Sequence, residues 1–254
     1  MPRTNQPGRS VSSRLLEVLF AFRPGRSRLS LAELTRHTGL PHATVRRLAM
    51  DLVRSGALDR ASDGRFTVGI RMWQLGTLAP LSLPLRTVAQ PYLEDLHTVL
   101  RQHVQLAVLD GTAAVLVERI SAGHAVDLIS HIGGRLPLHS SGVGKILLAH
   151  ARPELVDQII AQGLAAHTSR TITDPARLRR TLDECRQTGV AVVHEETTPG
   201  ADSVATRIMN TDGDVVAALS VVVRTGSVNL TAVRPAVIAA GLATSRALGW
   251  TPPV

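Results

Sequence analysis

Cysteine occurs once in this chain, at Cys185, which excludes an internal disulfide and any cysteine-based zinc site. Aromatic side chains are almost as scarce: three Phe, two Trp and one Tyr in 254 residues. That is too few to build the stacking platforms on which single strands of nucleic acid lie, so a nucleic-acid partner would have to be a duplex. Long apolar runs are missing too. The longest uncharged one, Val215 to Val223, is about half of the ~20 residues a membrane helix needs. No apolar stretch follows the arginines of the opening MPRTNQPGRS, so a secretory signal is not expected and a cytoplasmic, membrane-free protein is.

Enzyme signatures are absent as well. Neither a Gly-x-Ser-x-Gly nucleophile elbow nor a His-Glu-x-x-His metal helix occurs. Gly142-Val143-Gly144-Lys145 ends like a phosphate loop. That motif, however, needs glycine where the chain has His139 and Ser or Thr where it has Ile146. Glu195 and Glu196 could suggest an acid–base pair, but adjacent residues of a strand point to opposite faces. No cofactor, metal or catalytic group is therefore expected.

What the chain does have is arginine, unevenly placed. Residues 1–78 hold 13 Arg against 5 acidic residues, while residues 79–254 hold 14 Arg, one Lys (Lys145) and 15 acids. The whole formal net charge of +8 thus lies in the first third. A segment that positive suits a polyanion, and a phosphate backbone is the commonest one.

The same third has a readable local structure. Val11 to Phe22 fits an amphipathic helix ended by Arg23-Pro24-Gly25. Ser30-Leu-Ala-Glu33 is a capping box, in which each residue's side chain serves the other's amide, and it opens a short helix closed by Gly39. Pro41 begins a second helix running to about Ser55, with Val45, Leu48, Ala49 and Leu52 on one face. Two short helices joined by a glycine turn form a helix-turn-helix. Ala57 to Arg60, a turn at Ser62-Asp63-Gly64 and Arg65 to Val68 then read as a wing with Arg65 near its tip. A step of about 100° per residue puts Ala43, Arg47, Met50 and Arg54 opposite Val45, with Thr44 and Arg46 on the flanks. His42, Thr44, Arg46 and Arg47 could thus enter a major groove, where Arg reads guanine with two parallel hydrogen bonds. Ser30, at a helix start, and Arg14 are candidate phosphate contacts.

After a break at Pro80 to Pro84, periods of helix and strand mix. Helices are expected at 85–102, 142–150, 154–162, 174–188 and 229–248. Strands are expected at 103–109, 114–120, 126–131, 190–194, 203–210 and 215–224, with 132–137 irregular. Strands in a meander flanked by helices indicate an α+β domain with an antiparallel sheet. The boundaries implied are 1–78 for a DNA-binding domain with the start of a linker helix, and 79–254 for a second domain. At the start of the 142 helix the free amides of Gly142 and Val143 can receive an anion.

Several segments together resemble the IclR-type bacterial transcriptional regulators. They are LSLAELTRHTGLPHATVRRL, GRFTVGIRMWQLG, RLPLHSSGVGKILLA, TITDPARL and EETTPG followed by VVAALSV, in that order over residues 10–249. The resemblance implies an N-terminal winged helix-turn-helix and a C-terminal GAF-like domain for effector binding and oligomerisation. It implies dimers, commonly paired into tetramers, on palindromic double-stranded operator DNA, with a small molecule shifting DNA affinity. Carried over by position, Ala125, Leu128 and Leu136 become an apolar pocket wall, Gly142 and Val143 supply amides, and Ser220 matches a ligand-contacting serine. Ser203 stands where a cysteine is common, Val193 where Asp is frequent, Val222 where a second serine is, and Arg207 where proline is. Losing a carboxylate and a hydroxyl leaves a more apolar wall. A small keto acid facing those valines would forgo hydrogen bonds worth ~1 kcal/mol each. The expected effector thus has an apolar or aromatic body and one anionic or carbonyl end, held at Gly142 and Val143 with Arg207 as the alternative anion partner. Two other readings are a constitutive DNA binder with a vestigial pocket and an enzyme acting on the bound ligand.

Overall fold

The computed structural model describes residues 10–23, 25–76, 78, 83–123, 126 and 130–252, and divides into two compact units, 1–79 and 80–254. The N-terminal unit begins with α1 (Val11–Phe20), capped by Ser10, whose hydroxyl accepts from the Ser13 amide. A two-residue strand β1 (Arg28–Leu29) follows, then α2 (Leu31–Thr38) and α3 (His42–Arg54). The capping box forms: the Ser30 amide donates to the Glu33 carboxylate at 2.8 Å, and the Glu33 amide donates to Ser30 Oγ at 3.3 Å. Gly39 ends α2 in the left-handed region, φ 65°, a conformation that costs a glycine nothing. Val18, Leu34, Val45, Leu48 and Leu52 meet in one small core with Leu58 and Phe66.

Strands β2 (Leu58–Arg60) and β3 (Phe66–Val68) form the expected hairpin. The sheet has a third member that the sequence reading lacked, because β1 pairs antiparallel with β3 in the order β1-β3-β2. Two residues after a Pro-Gly turn carry no strand period; only the long-range partner makes them a strand. Helix α4 (Ile70–Gly76) follows, where the start of a linker helix is expected.

The C-terminal unit is a six-stranded antiparallel sheet, order β6-β5-β4-β9-β8-β7. Its strands are β4 (His103–Asp110), β5 (Ala113–Ile120), β6 (Arg135–Pro137), β7 (Val190–His194), β8 (Ala201–Met209) and β9 (Val215–Arg224). One face carries α5 (Leu83–Leu100) and α9 (Leu230–Ala247); the other carries α6 (Gly142–Ala149), α7 (Pro153–Ala161) and α8 (Pro175–Thr188). Strand alternation divides β9 cleanly: Leu219, Val221 and Val223 enter the core beneath α5 and α9, while Ala218, Ser220 and Val222 face the other way. Of the strand expected at 126–131, residues 126, 130 and 131 have no strand geometry, and 127–129 lie outside the described residues. Conversely, Arg135 to Pro137, read as irregular, is edge strand β6, paired to Ala113–Val115 of β5. Among the described residues no helix is long and apolar enough to cross a membrane.

Candidate functional site

The cavity that concerns function lies on the α6 face of the large sheet and has a volume of about 310 Å³. Its floor is two rungs of the β ladder. One runs Val193, Ser203, Val222 across β7, β8 and β9; the next runs Ala205, Ser220, Gln105 across β8, β9 and β4. All of these except Ala205 line the cavity. The roof is the start of α6, where Gly142 presses so closely on β8 that a Cβ there would stand 2.7 Å from Ser203 Oγ and 3.3 Å from the Ala205 methyl. Close approach favours glycine there, since any side chain would have to displace the Ser203 hydroxyl, although the residue heads an ordinary helix.

Ser141 caps α6: its hydroxyl accepts from the Gly144 amide at 3.1 Å and donates to the Pro137 carbonyl at 2.6 Å. The Lys145 amide donates to the Ser141 carbonyl, which leaves Gly142 and Val143, both lining the cavity, as the first-turn amides with no partner among the described residues. Helix geometry aims such groups outward along the axis, the positive end of its dipole. The side walls come from loops. Ser130, His131 and Leu136 close one side; Thr197, Thr198 and His167 close the other.

Of the nine residues expected to contact an effector, seven gather here: Leu136, Gly142, Val143, Val193, Ser203, Ser220 and Val222. The other two, Ala125 and Leu128, lie outside the described residues. Their neighbour Val126 is buried against Ala201 and Val222, and its carbonyl is held by His103 Nε2 at 2.8 Å. Arg207, the alternative anion partner, does not line the cavity; its guanidinium donates to the Arg186 carbonyl and sits 3.3 Å from His150 Nε2, beyond the far end of α6.

Sequence reasoning missed Gln105, Thr197, Thr198 and the two imidazoles, because loops and cross-strand register, not local pattern, bring them in. It also missed the group beneath the roof. Lys145 is 1% exposed and pairs with Glu196, whose other oxygen accepts from the Ile172 amide. Glu195 and Glu196 are not strand residues: Glu195 has φ +54° just beyond β7 and accepts from the Gly200 amide, while Glu196 turns inward. Burial depresses the Lys145 pKa, an effect that Glu196 opposes.

In the N-terminal unit His42, Arg46 and Arg47 stand exposed in the first two turns of α3, with Thr44 half-buried. No carboxylate pairs with Arg46 or Arg47 among the described residues. Met50, projected to the exposed face, packs partly on the core. Arg65 does not project freely from the wing. Its guanidinium reaches Glu33 Oε2 at 3.1 Å and Asp63 Oδ2 at 3.8 Å. Hydrogen bonds from the Ser30 backbone and hydroxyl, then the nearby Arg65, hold the Glu33 carboxyl below the ordinary range. Arg14 Nε donates to the Ser10 carbonyl at 3.4 Å.

Comparison with known proteins places these two constellations together. The family model described as "IclR helix-turn-helix domain" matches residues 12–62, and that described as "Bacterial transcriptional regulator IclR C-terminal" matches residues 79–250. The Pca regulon regulatory protein of Pseudomonas putida is 32% identical over 93% of this chain and 81% of its own length. The HTH-type transcriptional regulator KipR of Bacillus subtilis is 32% identical over 83% of this chain and 84% of its own. Among solved structures, an IclR homolog from Microbacterium hydrocarbonoxydans complexed with 4-hydroxybenzoate superposes with a TM-score of 0.89. It is 32% identical and covers 94% of this chain and 99% of its own.

Proposed function

The chain belongs to the IclR family of bacterial transcriptional regulators, and from that premise we propose that its C-terminal unit senses a compact, single-ring or similarly apolar organic acid. The family is one of regulators, not enzymes. Its helix-turn-helix implies DNA binding, and its C-terminal domain implies a small-molecule ligand.

The observation that carries the proposal is the cavity's composition. Apolar walls at Val193, Val222 and Leu136 face two unsatisfied amides at Gly142 and Val143. A volume of about 310 Å³ is at the low end for ligand pockets, yet a dry cavity of about 150 Å³ already accepts benzene. One ring with a carboxylate therefore fits, the carboxylate at the amides and the ring against the valines. The complex of the Microbacterium relative with 4-hydroxybenzoate supports the same class of ligand. Residues 79–254 would form the effector and oligomerisation domain. Residues 1–78 would hold duplex DNA, with Arg47, Arg46, Thr44 and His42 toward base edges and Arg14 and Ser30 toward phosphates, while Arg65, paired with Glu33 and Asp63, braces the wing. Two copies on a palindrome, one reading each half-site, would suit such a reader, and two such dimers could pair further.

The test is fluorescence anisotropy on a labelled duplex from the region upstream of the chain's own gene. Affinity is expected to fall with a log–log salt slope of about −5 to −9, for ~6–10 neutralised phosphates, and to shift when benzoate is added. Indifference to the duplex, or tight binding of glyoxylate-sized acids with none of benzoate, would overturn it.

A further inference from the structure

Gln105 is the buried polar side chain of the cavity floor that neither position nor resemblance singled out. It is 4% exposed. Its Nε2 donates to Ser130 Oγ at 2.9 Å, and its Oε1 accepts only a long bond, 3.5 Å, from Ser220 Oγ. A carboxamide has two N–H donors and two acceptor lone pairs. One donor is well used and one acceptor is used weakly, so a donor and an acceptor remain in a place water scarcely reaches. Unmet capacity of that kind, buried, is costly until something supplies it.

The neighbouring residues sharpen what that something is. Arg119 faces Gln105 across the β4–β5 ladder and lies on the same face of the sheet. One of its terminal nitrogens donates to the Ser130 carbonyl, fixing the segment that bears Ser130. Its Nε is buried with no partner among the described residues, but Arg119 is not one of the residues lining the cavity, which leaves Gln105 as the polar group that this end presents to a ligand. The β8 strand beneath Gly142 and the β4 strand carrying Gln105 are separated by β9. That is two strand spacings, about 9–10 Å, a gap suited to one ring with a polar atom at each end.

We propose that Gln105 is a specificity-determining residue of the cavity, selecting effectors that carry a hydroxyl on the side of the ring opposite their carboxylate. A hydroxyl both donates, to Gln105 Oε1, and accepts, from the remaining N–H of Nε2. A carboxylate only accepts and would be repelled by that same Oε1, whereas the α6 amides offer donors alone. The two poles thereby fix the ligand's direction. This inference rests on the organic-acid reading above.

Calorimetric titration of the full chain with benzoate, 4-fluorobenzoate and 4-hydroxybenzoate tests it. On the unaltered chain 4-hydroxybenzoate is expected to bind ~10-fold tighter than benzoate, the size of one net hydrogen bond. 4-Fluorobenzoate, which fills the same space but cannot donate, is expected to gain nothing. Gln105→Met, close in volume, should shrink the preference to within about twofold. If all three acids bind alike to the unaltered chain, the organic-acid reading stands and the role of Gln105 falls. If the preference survives in Gln105→Met, that role falls too. If none of the three binds, both fall together. The first comparison needs no variant, so poor folding of Gln105→Met would not protect the inference.

Discussion

Replacing Glu196 by glutamine is the most demanding perturbation of the effector unit. The carboxylate pairs with Lys145, 1% exposed, and accepts from the Ile172 amide. Glutamine keeps the shape and can keep the amide contact, but leaves an ammonium buried with no counter-charge. Breaking a buried pair by removing one partner costs ~3–5 kcal/mol, against a typical total of ~5–15 kcal/mol. For a unit of this size that predicts a melting temperature lower by roughly 6–20 °C. The loss should extend to ligand binding, because the β7–β8 loop carries Glu196, Thr197 and Thr198 together, and the Thr197 hydroxyl donates to Ser140 Oγ at the edge of the roof. Lys145→Met should cost a similar amount. The double variant Lys145→Met/Glu196→Leu should regain most of it, since apolar pairs often replace buried ion pairs without penalty. Denaturant unfolding of these chains, with Glu196→Leu added as the matching single variant, completes the cycle. A loss under about 1 kcal/mol in Glu196→Gln, or a double variant no better than the sum of its parts, would refute the reasoning.

Other perturbations have equally defined outcomes. Arg47→Ala should cost ~1–3 kcal/mol on the operator and relax discrimination against scrambled duplex, while Arg14→Ala weakens both alike; competition anisotropy separates the two. Val193→Asp puts a carboxylate beside the proposed ring and should weaken benzoate at least ~10-fold by like-charge repulsion and a more polar wall, read by calorimetry. Gly144→Ala should unfold the unit or lower its stability by ~3 kcal/mol or more, because the new methyl would lie 2.5 Å from the Pro137 carbonyl oxygen and 2.7 Å from Leu138 Cα. Burial lowers the pKa of His139 and of His150 from the ordinary 6.5. The unfolded chain then binds those protons first, so stability should fall as pH drops below about 6.5; melting curves at pH 7.5 and 5.5 check the sign, and His150→Gln should flatten the dependence.

How far these features can be read without coordinates depends on how local their causes are. The capping box at Ser30 and Glu33, the left-handed Gly39 and the α8 cap at Asp174 are set by a few neighbouring residues, and each is written in the chain. The alternation that turns Ser220 and Val222 to one face and Leu219 and Val221 to the other is also local, so the cavity floor could be anticipated. Strands β1 and β6 could not, since two or three residues become a strand only when a distant partner supplies the ladder. Gln105 is one polar residue in an apolar strand, and its register opposite Ser220 depends on how β4 and β9 meet. Lys145 and Glu196 are 51 residues apart. Nothing short of the assembled sheet and helix brings those charges within reach of each other. The same holds for Arg65, whose docking on Glu33 turns an expected wing-tip cation into a brace between wing and α2.

The enclosure of Lys145 has a consequence for handling the protein. It is the chain's single lysine, so the folded molecule presents no accessible ε-amine despite its strongly basic surface. Succinimidyl dyes, amine cross-linkers and acetyl donors would find no side-chain target until the domain opens. Acylation at that nitrogen is therefore a built-in clock for unfolding, one that needs no engineered reporter.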